Sequence, residues 1–100
     1  MPRKYPPLTP DEVVRILRAR GFDYDHSRGS HEYYKGTIKG IPRTVTVDVH
    51  YGEFDAKMIR FLLDQSGLTR EEFYGSTKRT AKKINLRAER YPIPLDEKQG

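Results

Sequence analysis

Apolar positions keep helical spacing near the start of the chain, alternate through its middle, and return to helical spacing beyond residue 55. Thr9-Pro10-Asp11-Glu12 opens the first helical stretch. The Thr9 hydroxyl can accept the Glu12 amide, Glu12 can reach back to Thr9, and Pro10 occupies a first-turn position whose N–H would have no partner anyway. Leu8 and Val13 are spaced as a hydrophobic staple, while Val13, Val14, Ile16 and Leu17 form a buried stripe. Gly21 permits a left-handed stop, so the spacing predicts a helix over residues 10–20. Between residues 22 and 50 the period shortens. Tyr24 opens one run, Ser30 to Thr37 a second, and Arg43 to Val49 a third, in which Val45, Val47 and Val49 alternate strictly. These are expected to be three antiparallel strands turned at Arg28-Gly29 and Lys39-Gly40, with the valines on a packed face and Thr44, Thr46 and Asp48 on an open, wet one.

After Tyr51-Gly52, Asp55 can cap a second helix carrying Ile59, Leu62 and Leu63 and stopped by Gly67. Thr69-Arg70-Glu71-Glu72 is another capping box, opening a short helix anchored by Phe73 and ended by Gly75. Farther on, Ala81, Ile84, Ala88 and Tyr91 fall at i, i+3, i+7 and i+10 and predict a further amphipathic helix, which Tyr91-Pro-Ile-Pro ends before a frayed polar tail. The fold class is therefore α+β: αβββα with a three-stranded antiparallel sheet and helices on one face, plus a basic C-terminal helical segment. Residues 1–75 would form the domain and residues 76–100 an extension, partly helical and then disordered.

Charge sharpens that division. Residues 1–75 hold 12 basic and 11 acidic side chains, whereas residues 76–90 hold Lys78, Arg79, Lys82, Lys83, Arg87 and Arg90 against Glu89 alone, so the net +5 of the chain lies in that segment. Such a block fits an acidic partner, nucleic acid first, or else a solvated segment that only aids solubility. With 100 residues, 35% of them apolar, the core is small and has no room for a deep cofactor cavity. The chain lacks cysteine, which excludes disulfides, thiolate metal sites and thiol catalysis, and its three histidines include no H-x-x-x-H pair, so neither cofactor nor metal is expected. The basic start runs into Pro6-Pro7, and no run approaches the roughly 18 apolar residues of a membrane span, so a soluble cytoplasmic protein without membrane partners is expected.

The strongest local signal is Arg28-Gly29-Ser30-His31-Glu32-Tyr33-Tyr34-Lys35, where a histidine opens a strand behind a glycine turn. A histidine in a strand is often structural. Here Gly29 lets the backbone approach a ligand, and Arg28, Lys35, Lys39 and Arg43 could converge on that end of the hairpin, which makes a phosphate beside the imidazole chemically sensible. Ser30 and His31 are adjacent in a strand and point to opposite faces, so they are no hydrolase pair; Ser30 fits a bond to the turn or to a phosphate. Of Tyr33 and Tyr34, one can pack in the core and the other stack on a base. His50 is either a second acid or base or a strand-end residue bonded to backbone.

A helix pair over one face of a three-stranded sheet resembles the double-stranded-RNA-binding fold. Gly75-Ser-Thr-Lys-Arg-Thr-Ala-Lys-Lys is similar to the lysine-rich helix start of such domains, but it follows two intervening helices instead of the third strand. From Thr9 to Phe73 the chain resembles the HicA toxins, small mRNA interferases of type II toxin–antitoxin systems. The resemblance is carried by Leu17 through Gly21-Phe22, by Gly29-Ser30-His31 followed by Tyr34, by Arg43-Thr-Val-Thr-Val with His50, and by Leu63-Asp-Gln-Ser-Gly-Leu-Thr-Arg-Glu-Glu-Phe73. It implies that His31 is the catalytic residue of a metal-independent ribonuclease that blocks translation, with mRNA or other single-stranded RNA as substrate and a HicB-type antitoxin as inhibitor. Candidate RNA contacts are Arg28, Gly29, Ser30, Lys35, Lys39 and Arg43 around the hairpin, with Lys78, Arg79, Lys82 and Lys83 in the extension. Three positions depart from the family pattern: His26 stands for an arginine, Asp48 for a proline, and Lys57-Met58 for Gly-Thr. Asp48 brings a carboxylate near the wet face, where it either orients a histidine or repels phosphate. The second class of function left open is a non-catalytic RNA-binding module that uses the basic 76–90 segment.

Overall fold

The capping box at Thr9 closes as its sequence requires: the Glu12 amide donates to Thr9 Oγ1 (3.2 Å) and the Thr9 amide to Glu12 Oε1 (2.9 Å). In the computed structural model, which describes residues 3–96, helix α1 runs Pro10–Ala19 and buries Val13, Ile16 and Leu17. It ends one residue before the expected limit, because Arg20 already leaves helical geometry ahead of Gly21. Strands β1 (Asp23–Arg28), β2 (His31–Ile38) and β3 (Ile41–Asp48) form an antiparallel sheet in sequence order. Tyr34, Ile38, Val45 and Val47 are buried on its packed face, where each such side chain contributes about 1.5–3 kcal/mol.

Val49 does not join that face as the alternation predicts. It is 41% exposed, and β3 stops at Asp48, since the Asp48 carboxylate captures the His50 amide (3.0 Å) and turns the chain.

Helix α2 (Ala56–Ser66) is capped by Asp55 and stopped by left-handed Gly67 (φ 76°). It lies along β3, and Gln65 Oε1 accepts the Thr46 N–H (3.0 Å), satisfying a donor on the free edge of the sheet. Helix α3 (Arg70–Tyr74) repeats the capping box with Thr69 and Glu72, and buries Phe73 and Tyr74. The arrangement has the double-stranded-RNA-binding-like architecture expected from the element order, with the helices on one face of the sheet.

The C-terminal segment departs from expectation. Instead of one helix carrying Ala81, Ile84, Ala88 and Tyr91, the chain makes a single turn, α4 (Lys78–Ala81), then a 3-10 turn over Lys82–Ile84. Asn85 in the left-handed region (φ 56°) ends it, with the Leu86 amide returning to the Ala81 carbonyl (3.0 Å). Arg20 ties the segment to the domain through Ser76 Oγ (2.9 Å) and the carbonyls of Glu72 (2.8 Å) and Ile93 (2.7 Å). Of the polar tail expected to fray after Tyr91-Pro-Ile-Pro, residues 97–100 lie outside the described residues.

Candidate active site

Strand register assembles the site. His31 opens β2 directly after the Gly29-Ser30 turn and pairs with Arg28 on β1 and with Asp48 on β3, giving a row of three polar side chains across one end of the sheet. The left-handed conformation of Gly29 (φ 57°) makes the turn this tight. Alternation places His31, Tyr33 and Lys35 on the open face, with Thr44, Thr46 and Asp48 as their β3 partners, and sends Glu32 and Tyr34 to the packed face. Tyr34 is the core member of the tyrosine pair, and burial, reinforced by its hydrogen bond to Glu32 (2.8 Å), pushes its hydroxyl up to about 12. Tyr33 is half-buried and stacks on His26, with ring centroids 4.4 Å apart and planes 8° from parallel.

The His31 side chain is 52% exposed, and its Nε2 lies 3.6 Å from Asp48 Oδ2. Asp48 is itself only 22% exposed. Its carboxyl is held below the usual aspartate range first by the Ser30 hydroxyl and then by the His50 amide, with His31 and His50 adding smaller electrostatic contributions. Ser30 is therefore engaged with the carboxylate, and its carbonyl accepts the Val49 amide (2.9 Å). His50, exposed in the turn beyond, fixes Asp48 through its backbone N–H. At a bulge in β1, Asp25 binds His26 Nδ1 (2.7 Å) and lies 3.8 Å from Lys35 Nζ; the His26 hydrogen bond, ahead of Lys35, holds its carboxyl low.

The expected convergence of four hairpin cations does not occur. Arg28 pairs directly with His31, Lys35 stands four residues farther along β2 on the same open face, and Lys39 sits in the β2–β3 turn at the far end, its ammonium 2.8 Å from the buried carboxylate of Glu72. Arg43 pairs with Gly36 on the packed face, its guanidinium so close to Gly67 that a Cβ there would come within 2.7 Å of Nε. That Nε is buried and makes no hydrogen bond among the described residues. In the extension, Lys83 donates to the Pro7 carbonyl (2.9 Å) and Glu12 (3.0 Å), and Arg79, largely exposed, lies 3.7 Å from the same carboxylate. Lys78 and Lys82 remain exposed and border a hollow of about 450 Å³, together with Asn85, Leu86, Arg87, Ala88 and Tyr91.

Beside His31 the structure brings in residues that sequence reasoning missed. A hollow of about 150 Å³ between β3 and α2 is lined by His31, Thr46 and Asp48 from the sheet, by Phe54, and by Met58, Phe61, Leu62 and Gln65 of α2. The available signal was Phe61, an aromatic off the Ile59–Leu62 stripe, which is 61% exposed. No group of three or more His, Asp or Glu side chains that could hold a metal occurs among the described residues. Nor, among them, is any helix long and apolar enough to cross a membrane.

Residues 10–68, which hold α1, the whole sheet, α2 and the His31 row, match the family described as HicA toxin of bacterial toxin-antitoxin. No curated protein matches the chain.

Proposed function

We propose, from the premise that the chain belongs to the HicA toxin family of bacterial toxin–antitoxin systems, a family of ribonucleases, that it cleaves single-stranded mRNA in the cytoplasm and that His31 performs the proton transfer. The observation that carries this reading is the Arg28, His31, Asp48 row at the edge of an open, partly basic sheet face.

RNA carries its own nucleophile. A 2′-hydroxyl attacks the adjacent phosphorus as its proton leaves to a base, and the bond to the 5′-oxygen breaks, giving a 2′,3′-cyclic phosphate and a 5′-hydroxyl. Histidine as a residue type exchanges protons near neutrality, and a positioned base typically supplies about 10²–10⁴ in rate. Asp48, 3.6 Å from Nε2, favours the proton on that nitrogen and leaves Nδ1 to receive the 2′-proton; it then stabilises the imidazolium that forms. This supports orientation over repulsion, since the carboxylate is tied on its other side to Ser30 and the His50 amide. Arg28 and the turn amides at Gly29 and Ser30 offer charge to the phosphorane, and Lys35, farther along the same open face, offers it to a flanking phosphate. Water serves as the acid for the leaving oxygen.

Lys39, Arg43 and Lys83 we reassign to the fold, because each is engaged by it. Lys78 and Lys82, joined by Arg87 around their shared hollow, extend the RNA track beyond the matched residues. A HicB-type antitoxin would inhibit by covering the exposed His31 row. The test incubates purified protein with mixed-sequence single-stranded RNA in EDTA and maps fragment ends. Cyclic-phosphate and 5′-hydroxyl ends are expected; intact RNA that is still bound would favour the non-catalytic binding module built on Lys78 and Lys82.

A further inference from the structure

The hollow beside His31 has the chemistry of a small recognition slot. Its lining is apolar from Phe54, Met58, Phe61 and Leu62, and polar from His31, Thr46, Asp48 and Gln65. At about 150 Å³ it falls below the few hundred Å³ of typical small-molecule pockets and suits a single planar ring system. Phe61, one of the lining residues, is 61% exposed, an aromatic side chain outside the buried core.

The polar lining has a defined orientation. Gln65 Oε1 is occupied by the Thr46 N–H (3.0 Å), and because that backbone group can only donate, the side-chain amide is fixed with its NH2 end turned away. The amide therefore offers donors beside the slot, while the acceptor in the lining, Asp48, already receives from the His50 amide (3.0 Å).

We infer that this slot binds one nucleobase of the RNA flanking the scissile phosphate, stacked on Phe61, and that the Gln65 amide selects a base with a carbonyl oxygen where cytosine and adenine carry their amino group, namely uracil through O4 or guanine through O6. Only the placement beside a scissile phosphate rests on the nuclease reading; the base-binding slot is defined by its own residues. Phosphate contacts position an RNA strand without reading it, whereas a donor fixed by the fold reads a base edge. The slot therefore makes an otherwise open site sequence-selective. Phe61 and Gln65 are specificity-determining residues, and His31 stays the group that moves the proton.

The experiment has two arms. In the first, methyl signals of Met58 and Leu62 in the full chain are followed by NMR during titration with UMP, GMP, CMP, AMP, ribose 5-phosphate and inorganic phosphate. UMP and GMP should move both signals at the lowest concentrations, and the two base-free probes should leave them in place. In the second, cut sites in a mixed-sequence RNA are mapped for the parent, Phe61→Ala and Gln65→Glu. Phe61 is exposed, and glutamate keeps the oxygen that Thr46 needs, so both variants should fold. Phe61→Ala should slow cleavage about 5- to 100-fold, as expected for loss of one stacking platform. Gln65→Glu replaces donors by an acceptor and should shift preference toward cytosine and adenine, which carry an amino donor at the position where uracil and guanine carry the oxygen.

Methyl signals that ignore every mononucleotide overturn the slot as a base site, whether or not RNA is cleaved. Methyls that move while the cut pattern stays identical in all three proteins overturn its part in choosing the site. Methyls that move when no RNA is cut uphold the slot and remove the nuclease reading instead.

Discussion

The two ends of the sheet carry similar residues in sequence and opposite roles in space. At one end, Arg28, His31 and Asp48 stand in a row, with His31 half exposed. At the other, Lys39 reaches a carboxylate that is nearly buried, and Arg43 packs on Gly67 with its Nε out of water. Lys39 even adopts a left-handed backbone (φ 54°), and its side chain is fixed by the Glu72 ion pair and only 19% exposed. A cation engaged by the fold has little left to offer a phosphate, whereas exposed cations beside a hydrogen-bonded carboxylate and a histidine can serve a reaction. The comparison teaches that the number of positive charges near a motif matters less than which of them the fold has already claimed.

The sharpest way to break this contrast is to exchange the functions of the two ends. His31→Ala should reduce cleavage by about 10²–10⁴ while leaving unfolding by urea unchanged, because the side chain is half exposed. Glu72→Ala should do the reverse. It removes the acceptor of the Thr69 amide (2.8 Å) and leaves Lys39 unpaired, so stability should fall by about 3 kcal/mol with cleavage per folded molecule intact.

The same end responds to acid. Burial alone would raise Glu72, but the hydrogen bonds from Lys39 and the amides of Thr69 and Asp96 outweigh it and hold the carboxyl below its ordinary 4.5. A group whose folded-state value is depressed binds protons more readily when unfolded. Its stabilisation is thus complete above about 4.5 and is lost as pH falls through the lower folded value. Thermal melts should show this acid loss in the parent and a flatter profile below 4.5 in Glu72→Gln.

Smaller effects sharpen the open end. Asp48→Asn should slow cleavage about tenfold, since the imidazolium loses its neighbouring charge. Arg28→Ala and Lys35→Ala should each lower the salt slope of RNA binding by about 0.7, one phosphate contact on a single strand, whereas Lys39→Ala should leave that slope alone.

Much of the frame was legible in the sequence because it is local. The capping boxes at Thr9 and Thr69 and the stops at Gly67 and Gly75 depend on residues three or four apart. Val49 was misplaced because alternation cannot show that Asp48 turns the chain, and the long C-terminal helix failed because Asn85 takes a left-handed stop that an apolar stripe does not register. The position of His31, at the start of a strand behind the Gly29 turn, was legible from the sequence. The face on which Arg43 lies followed from pairing register, which a list of nearby cations does not contain. Met58, Phe61 and Gln65 were out of reach for a similar reason: they meet His31 only because α2 covers the edge of β3.

The most direct measurement compares the parent, His31→Ala and Glu72→Gln in one RNA-cleavage series in EDTA, with rates scaled to folded protein and fragment ends identified. Cleavage to cyclic-phosphate ends by the parent and Glu72→Gln, and its loss in His31→Ala, is the expected result. Equal cleavage by His31→Ala would contradict the assignment of chemistry to the open end of the sheet.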